Sequence, residues 1–113
     1  EVEYDPRFQW GCSPTETLLL SLAGCLAIDV VSFLRKMRCV VSGMKMDVSG
    51  ERNSAPPQFY KSMDIAINIT GKGIDARKMD RVIALSRQKY CSVYHSLRPD
   101  IKVSVSYNIN EAA

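Results

Sequence analysis

From Leu18 to Leu34 the chain reads LLLSLAGCLAIDVVSFL, apolar on nearly every face of a helix rather than along the single stripe of an ordinary surface helix. Its start is marked by Ser13-Pro14-Thr15-Glu16: a capping residue, a proline at the first helical position and a glutamate three after the cap, which together make a capping box. Its end is marked by Arg35, Lys36 and Arg38, cations that suit the negative end of the helix dipole. A helix of this composition has to be buried all round. A membrane span competes with that reading, but spans want about 20 apolar residues, and Asp29, Ser21 and Ser32 inside the run argue against one.

Past Cys39 the period changes to two. Met44, Met46 and Val48 alternate with Lys45, Asp47 and Ser49, the mark of a half-buried strand. Asn53-Ser54-Ala55-Pro56-Pro57 breaks any regular element, after which Met63, Ile65, Ile67 and Ile69 alternate with Ser62, Asp64, Asn68 and Thr70 as a second strand closed by Gly71 and Gly73. Asp75 is placed to cap a second helix, this one amphipathic: Met79, Val82, Ile83, Ser86 and Tyr90 share one face, while Arg77, Lys78, Arg81, Arg87 and Lys89 stay in water. A short helical turn from Cys91 to Leu97 stops at Arg98-Pro99-Asp100, and Ile101, Val103, Val105, Tyr107 and Ile109 form a last strand.

Three strands and one amphipathic helix cannot cover every side of the first helix, so its bare face must be buried against something else, most simply a second copy of the chain. Gly24 bears on this, because a mid-helix glycine costs about 1 kcal/mol and is tolerated where another backbone comes close. Close packing on the chain's own sheet would explain it equally well.

Composition narrows the class. The 113 residues, 46% of them apolar and 24% charged, suit a single globular domain over 1–113 and exclude disordered and low-complexity chains. A net charge of +3 with both signs interspersed offers no basic face for nucleic acid, and Arg35-Lys36-Met37-Arg38 is explained by its helix end. The first residue is Glu rather than Met, which leads us to expect a missing upstream piece carrying N-terminal strands; within these residues there is no charged-then-apolar signal segment, and a reducing cytoplasm is the expected compartment.

The chemistry available is that of thiols. Cys12, Cys25, Cys39 and Cys91 are too widely and irregularly spaced for a disulfide scaffold, and with no Cys-x-x-Cys pair and His95 the only histidine, a zinc site would need ligands from scattered positions. Cys25 lies mid-helix in a narrow polar stripe with Ser21, Asp29 and Ser32. It reads either as a small core residue or as a nucleophile; the second needs a cation to outweigh Asp29, and Arg7 is the only arginine ahead of the helix. Cys91, at the amino end of a helical turn and near Lys89, is expected to be the most acidic of the four, with His95 four residues on. Cys12 and Cys39 flank the long helix and read as structural.

The run Ser13-Pro14-Thr15-Glu16-Thr17-Leu18-Leu19-Leu20, continuing through Leu22-Ala23-Gly24-Cys25, Asp29-Val30-Val31 and Leu34-Arg35-Lys36-Met37-Arg38, resembles the central helix of the OsmC/Ohr family, that of osmotically inducible protein C and organic hydroperoxide resistance protein. Leu85-Ser86-Arg87-Gln88-Lys89-Tyr90-Cys91-Ser92-Val93-Tyr94-His95 is similar to that family's second cysteine motif. The resemblance implies an α+β fold, with a long central helix and an amphipathic second helix packed on antiparallel sheet, in an intertwined homodimer. It also implies a thiol peroxidase site in which Cys25 is peroxidatic and Cys91 resolving, reset by an external thiol reductant, with a peroxide as substrate and with no cofactor, metal, nucleic acid or membrane.

Two departures stand out. The family's N-terminal strands, which carry an arginine that stabilises the thiolate, are represented by the stub Glu1 to Trp10, where Arg7 is the candidate stand-in. The peroxidase branches place glutamate directly after the helix-opening proline, whereas here Thr15 holds that position and Glu16 follows. Nine residues before Cys25, Glu16 lies about 180° around a regular helix and points away from the thiol within one chain. The alternatives are a non-catalytic dimer of this type that binds a small apolar ligand or senses redox state, and a metal module using Cys91 and His95.

Overall fold

The computed structural model describes residues 13–111. The first helix, α1, spans Pro14–Lys36, with Ser13 as its N-cap: the Glu16 backbone N–H donates to Ser13 Oγ at 3.3 Å, and the hydroxyl donates in turn to the Glu16 carboxylate at 2.9 Å. The expected capping pair therefore forms, and it leaves Glu16 exposed at the helix entrance. At the other end Met37 caps the helix and Arg38 turns into the left-handed region at φ 66°. Cys39 N–H donates to Leu34 O at 3.0 Å and Arg38 N–H to Arg35 O at 2.9 Å, the paired bonds of a Schellman ending, here made with an arginine where glycine is usual.

Two long strands follow, β1 (Val40–Arg52) and β2 (Tyr60–Lys72), paired antiparallel with Met46 opposite Ile67. Gly71 makes their close approach possible, since a β-carbon there would overlap the Val40 carbonyl oxygen. Then come α2 (Ala76–Leu85), a five-residue π-turn (Ser86–Tyr90), the short α3 (Ser92–Ser96) and β3 (Lys102–Glu111). Asp75 caps α2 as expected, its Oδ1 accepting from the Lys78 backbone N–H at 2.8 Å.

The sheet runs β1-β2-β3, and here the structure corrects the expectation of an all-antiparallel sheet: β3 pairs with β2 in parallel. The reason is topological. Two strands joined through α2, the π-turn and α3 are connected by a crossover, and a crossover returns the chain in the same direction.

The core lies between one face of the sheet and the helices. Met63, Ile65, Ile67 and Ile69 on the central strand β2 are fully buried against Leu22, Leu26, Val30 and Leu34 of α1 and Met79, Val82 and Ile83 of α2. On α1 only this face is covered. Leu18, Leu20 and Ile28 are exposed, and a β-carbon at Gly24 would meet nothing within 4 Å. Gly24 thus faces away from the chain's own sheet, which removes one of its two explanations. The helix is long and apolar enough to cross a membrane by length and composition, yet its inner face belongs to the core of the domain.

The second helix departs from its sequence reading at its end. Ser86 is buried with Met79, Val82 and Ile83, but Tyr90 is exposed, because the π-turn widens the last turn and rotates Tyr90 off the buried face. Tyr90 stacks instead on Phe33 of α1, ring centroids 5.2 Å apart.

Candidate active site

Cys25 is half-buried on α1, and Cys91, the N-cap residue of α3, is buried. The fold brings them into one neighbourhood: Cys25 is close enough to Cys91 to act on its thiol. The join is made by the π-turn, whose closing bond runs from the Cys91 backbone N–H to the Ser86 carbonyl at 2.8 Å. Ser86 also reaches across to α1, where its hydroxyl donates to Asp29 Oδ2 at 2.8 Å. Asp29 lies one turn after Cys25 and so flanks the thiol pair from the same helix.

The electrostatics of Cys91 reverse what its sequence position suggests. Burial pushes its thiol up from an ordinary value of 9.0 to about 11, helped by the neighbouring Cys25 side chain and by the charge of Asp29. The backbone N–H of Tyr94, which donates to Cys91 Sγ at 3.4 Å, pulls the other way and is outweighed. A five-residue helix has little dipole to offer, and Lys89 is exposed, its ammonium over the Tyr90 ring at 5.9 Å rather than at the thiol. Cys91 is therefore a protonated thiol at neutral pH, and its place at the amino end of a helical turn does not make it acidic.

The other sequence candidates fall as follows. Arg7 and Cys12 lie outside the described residues. Glu16 is engaged with Ser13, and Cys39 is buried with its thiol donating to the Gly73 carbonyl at 3.2 Å, a structural placement. Within the polar stripe, Ser21 donates to the Thr17 carbonyl of its own helix and Ser32 is exposed, so of the three stripe partners Asp29 alone connects to the second helix. His95 is exposed and packs edge-on against Tyr94, whereas Cys91 is buried. Among the described residues no three His, Cys, Asp or Glu side chains gather as a metal site. Ser86 carries the arrangement without having been singled out for it. Its signal in the sequence is a small polar residue on an otherwise apolar helix face, which becomes legible only once Asp29 is seen opposite.

The OsmC-like protein family model matches residues 7–106. Protein YhfA of Escherichia coli K12 is 33% identical over 97 residues, covering 86% of this chain and 72% of that one. A hypothetical protein from Aquifex aeolicus VF5 superposes with a TM-score of 0.86 at 28% identity, over 93% of this chain and 79% of that one. The organic hydroperoxide resistance protein OhrB of Bacillus subtilis shares the fold at a TM-score of 0.60 and 14% identity, over 88% and 73% of the two chains. With a long helix, a three-stranded sheet and paired thiols where the two cysteine motifs meet, this chain is a member of the OsmC-like protein family.

Proposed function

We propose that this protein is a thiol-dependent peroxidase that acts on organic hydroperoxides or hydrogen peroxide. The observation that carries the reading is the proximity of Cys25 to Cys91, two free thiols that separate helices bring to one partly accessible site. Because Cys91 holds its proton, Cys25 is the nucleophile. Its thiolate attacks the distal oxygen of ROOH; the O–O bond breaks, ROH leaves after protonation, and Cys25 becomes a sulfenic acid. Oxidation turns Cys25 into a neutral sulfenic acid, which changes one of the neighbours that hold Cys91 protonated and so eases its ionisation. Cys91 then attacks the Cys25 sulfur, expelling water and forming the disulfide, and an external dithiol reduces it while being oxidised to its own disulfide.

The working unit is a homodimer in the reducing cytoplasm. The exposed Leu18, Leu20 and Ile28, together with the groove between Ala27, Ile28 and Val31 of α1 and Met44 of β1, form the apolar face that a second copy covers. The cation that stabilises the Cys25 thiolate then comes from Arg7 or from the partner subunit, because the charged group acting on Cys91 from α1 is the Asp29 carboxylate. That same carboxylate favours a second reading, a redox-sensing dimer that forms the disulfide without turning over peroxide.

The test is oxidation of the reduced protein with stoichiometric cumene hydroperoxide, followed by disulfide mapping by mass spectrometry. A Cys25–Cys91 bond should form with Cys12 and Cys39 free; Cys91→Ser should stop at the sulfenic acid, and Cys25→Ser should consume no peroxide. Peroxide turnover by Cys25→Ser at the parental rate removes the mechanism. A disulfide formed with diamide but not with peroxide selects the redox sensor.

A further inference from the structure

The polar bridge behind the two thiols has no role in the reaction as written. Ser86 is 0% exposed and its hydroxyl donates to Asp29 Oδ2 at 2.8 Å, so a charge-assisted hydrogen bond joins α1 to the end of α2 inside an otherwise apolar packing. Desolvating a carboxylate and a hydroxyl on core-facing surfaces is unfavourable, and apolar residues of similar volume would commonly stabilise such a packing as well or better. The bridge also sits where the helix geometry changes. Ser86 is the first residue of the π-turn, its carbonyl accepts the Cys91 N–H at 2.8 Å, and such wide turns are uncommon and concentrate at functional sites. One residue thus holds α1 with its side chain and Cys91 with its backbone, and its partner Asp29 stands one turn from Cys25.

We propose that Asp29 and Ser86 are positioning residues that clamp the π-turn to α1 and so set the separation of the Cys25 and Cys91 sulfur atoms for disulfide exchange. The inference rests on the two thiols acting as a redox pair, but not on peroxide being the oxidant. A disulfide demands narrow geometry, with Cα atoms within about 7 Å and a defined torsion about the bond. Tyr90 on Phe33 and Arg87 on the Val103 carbonyl also hold this turn, but neither acts at Ser86, whose carbonyl bonds Cys91. The Ser86–Asp29 bond fixes that point against α1. Asp29 contributes in two separable ways: its oxygen accepts the Ser86 hydroxyl, and its charge helps keep Cys91 protonated.

The experiment measures the disulfide equilibrium of the folded full chain, with Cys12 and Cys39 replaced by Ser, in glutathione redox buffers. There one glutathione disulfide oxidises the two thiols to Cys25–Cys91 and leaves two reduced glutathiones. The effective concentration of the pair obtained this way reports positioning directly. Ser86→Ala and Asp29→Ala should each lower it about tenfold or more, the scale of one charge-assisted hydrogen bond. Ser86→Thr and Asp29→Asn keep a hydroxyl donor and an oxygen acceptor and should stay within about threefold of the parent. Asp29→Asn should in addition lower the pH at which Cys91 is alkylated, measured with Cys25 replaced by Ser, which a purely structural role would not move. An unchanged effective concentration in Asp29→Ala or Ser86→Ala overturns the clamp. So does Asp29→Asn falling as far as Asp29→Ala. If Ser86→Ala does not fold, the Asp29 pair decides the question. A parent protein inert to peroxide, but with this pattern intact, overturns the peroxidase reading and leaves the clamp standing.

Discussion

The two faces of α1 are built from the same residue types and meet opposite fates. On the inner face Val30 and Leu34 are 0% exposed and lock into β2 and α2; on the outer face Ile28 is 71% and Leu20 50% exposed in the single chain. Apolar character alone therefore does not say what a helix face touches. The inner face contributes to the stability of the folded chain, and the outer face leaves apolar surface exposed, which the proposed second copy would cover. Cys25 lies at the seam between the two, half-buried, beside the π-turn and at the edge of the surface that dimerisation would close.

The sharpest way to break this comparison is to shorten one residue on each face. Leu34→Ala should lose about 2–5 kcal/mol of unfolding free energy in urea, as large-to-small changes at fully buried sites do. Ile28→Ala should stay within about 0.5 kcal/mol for the protomer, yet measurably weaken self-association in sedimentation equilibrium. Equal effects of the two changes in both measurements would mean that the faces do not divide the work as described.

At the seam the expected effect is smaller and depends on pH. In the folded chain Cys91 titrates at about 11, against an ordinary value of 9.0. The native state then binds this proton more tightly than the unfolded chain does. Its contribution is whole below about pH 9 and declines as pH rises through about 11. Tyr107, whose hydroxyl donates to Asp80 Oδ1 at 2.6 Å and titrates high for that reason, acts in the same direction, so the difference between parent and Cys91→Ala isolates the thiol. Urea midpoints across this range should fall more steeply for the parent than for Cys91→Ala. Parallel slopes would remove the desolvated thiol from the picture.

The smallest expected change is at the helix end, where both faces stop. Arg38 holds a left-handed conformation at φ 66° that glycine adopts without a β-carbon penalty. Arg38→Gly should therefore raise stability by about 0.5–1 kcal/mol, measured by thermal unfolding, with dimer affinity unmoved.

What could be read in advance followed from local rules. Ser13 and Asp75 cap because a side-chain oxygen three residues before a backbone N–H is a short-range device, and the alternation of Met63, Ile65, Ile67 and Ile69 needs only the period of a strand. The pairing of Cys25 with Cys91 came from resemblance, and local pattern alone left Cys25 open as a core residue. The misses share a cause. The direction of β3, the rotation of Tyr90 and the high titration of Cys91 each depend on what lies across the core, through a crossover, a widened turn and a desolvated pocket. Ser86 belongs with them, since its partner is on another helix and no spacing along the chain announces it.

The parallel pairing of β2 with β3 also orders events in time. A hairpin such as β1–β2 can zip from its turn, but β3 reaches β2 only after residues 73–101 have closed as one loop, a step burdened by chain entropy and slow for that reason. Cys91 rides in that loop, whereas Cys25 stands on a helix capped by residues beside it in sequence. The rate at which a Cys25–Cys91 crosslink becomes possible during refolding, set against the rate of β2–β3 pairing, is expected to tell whether the sulfur pair is assembled before or after the crossover closes.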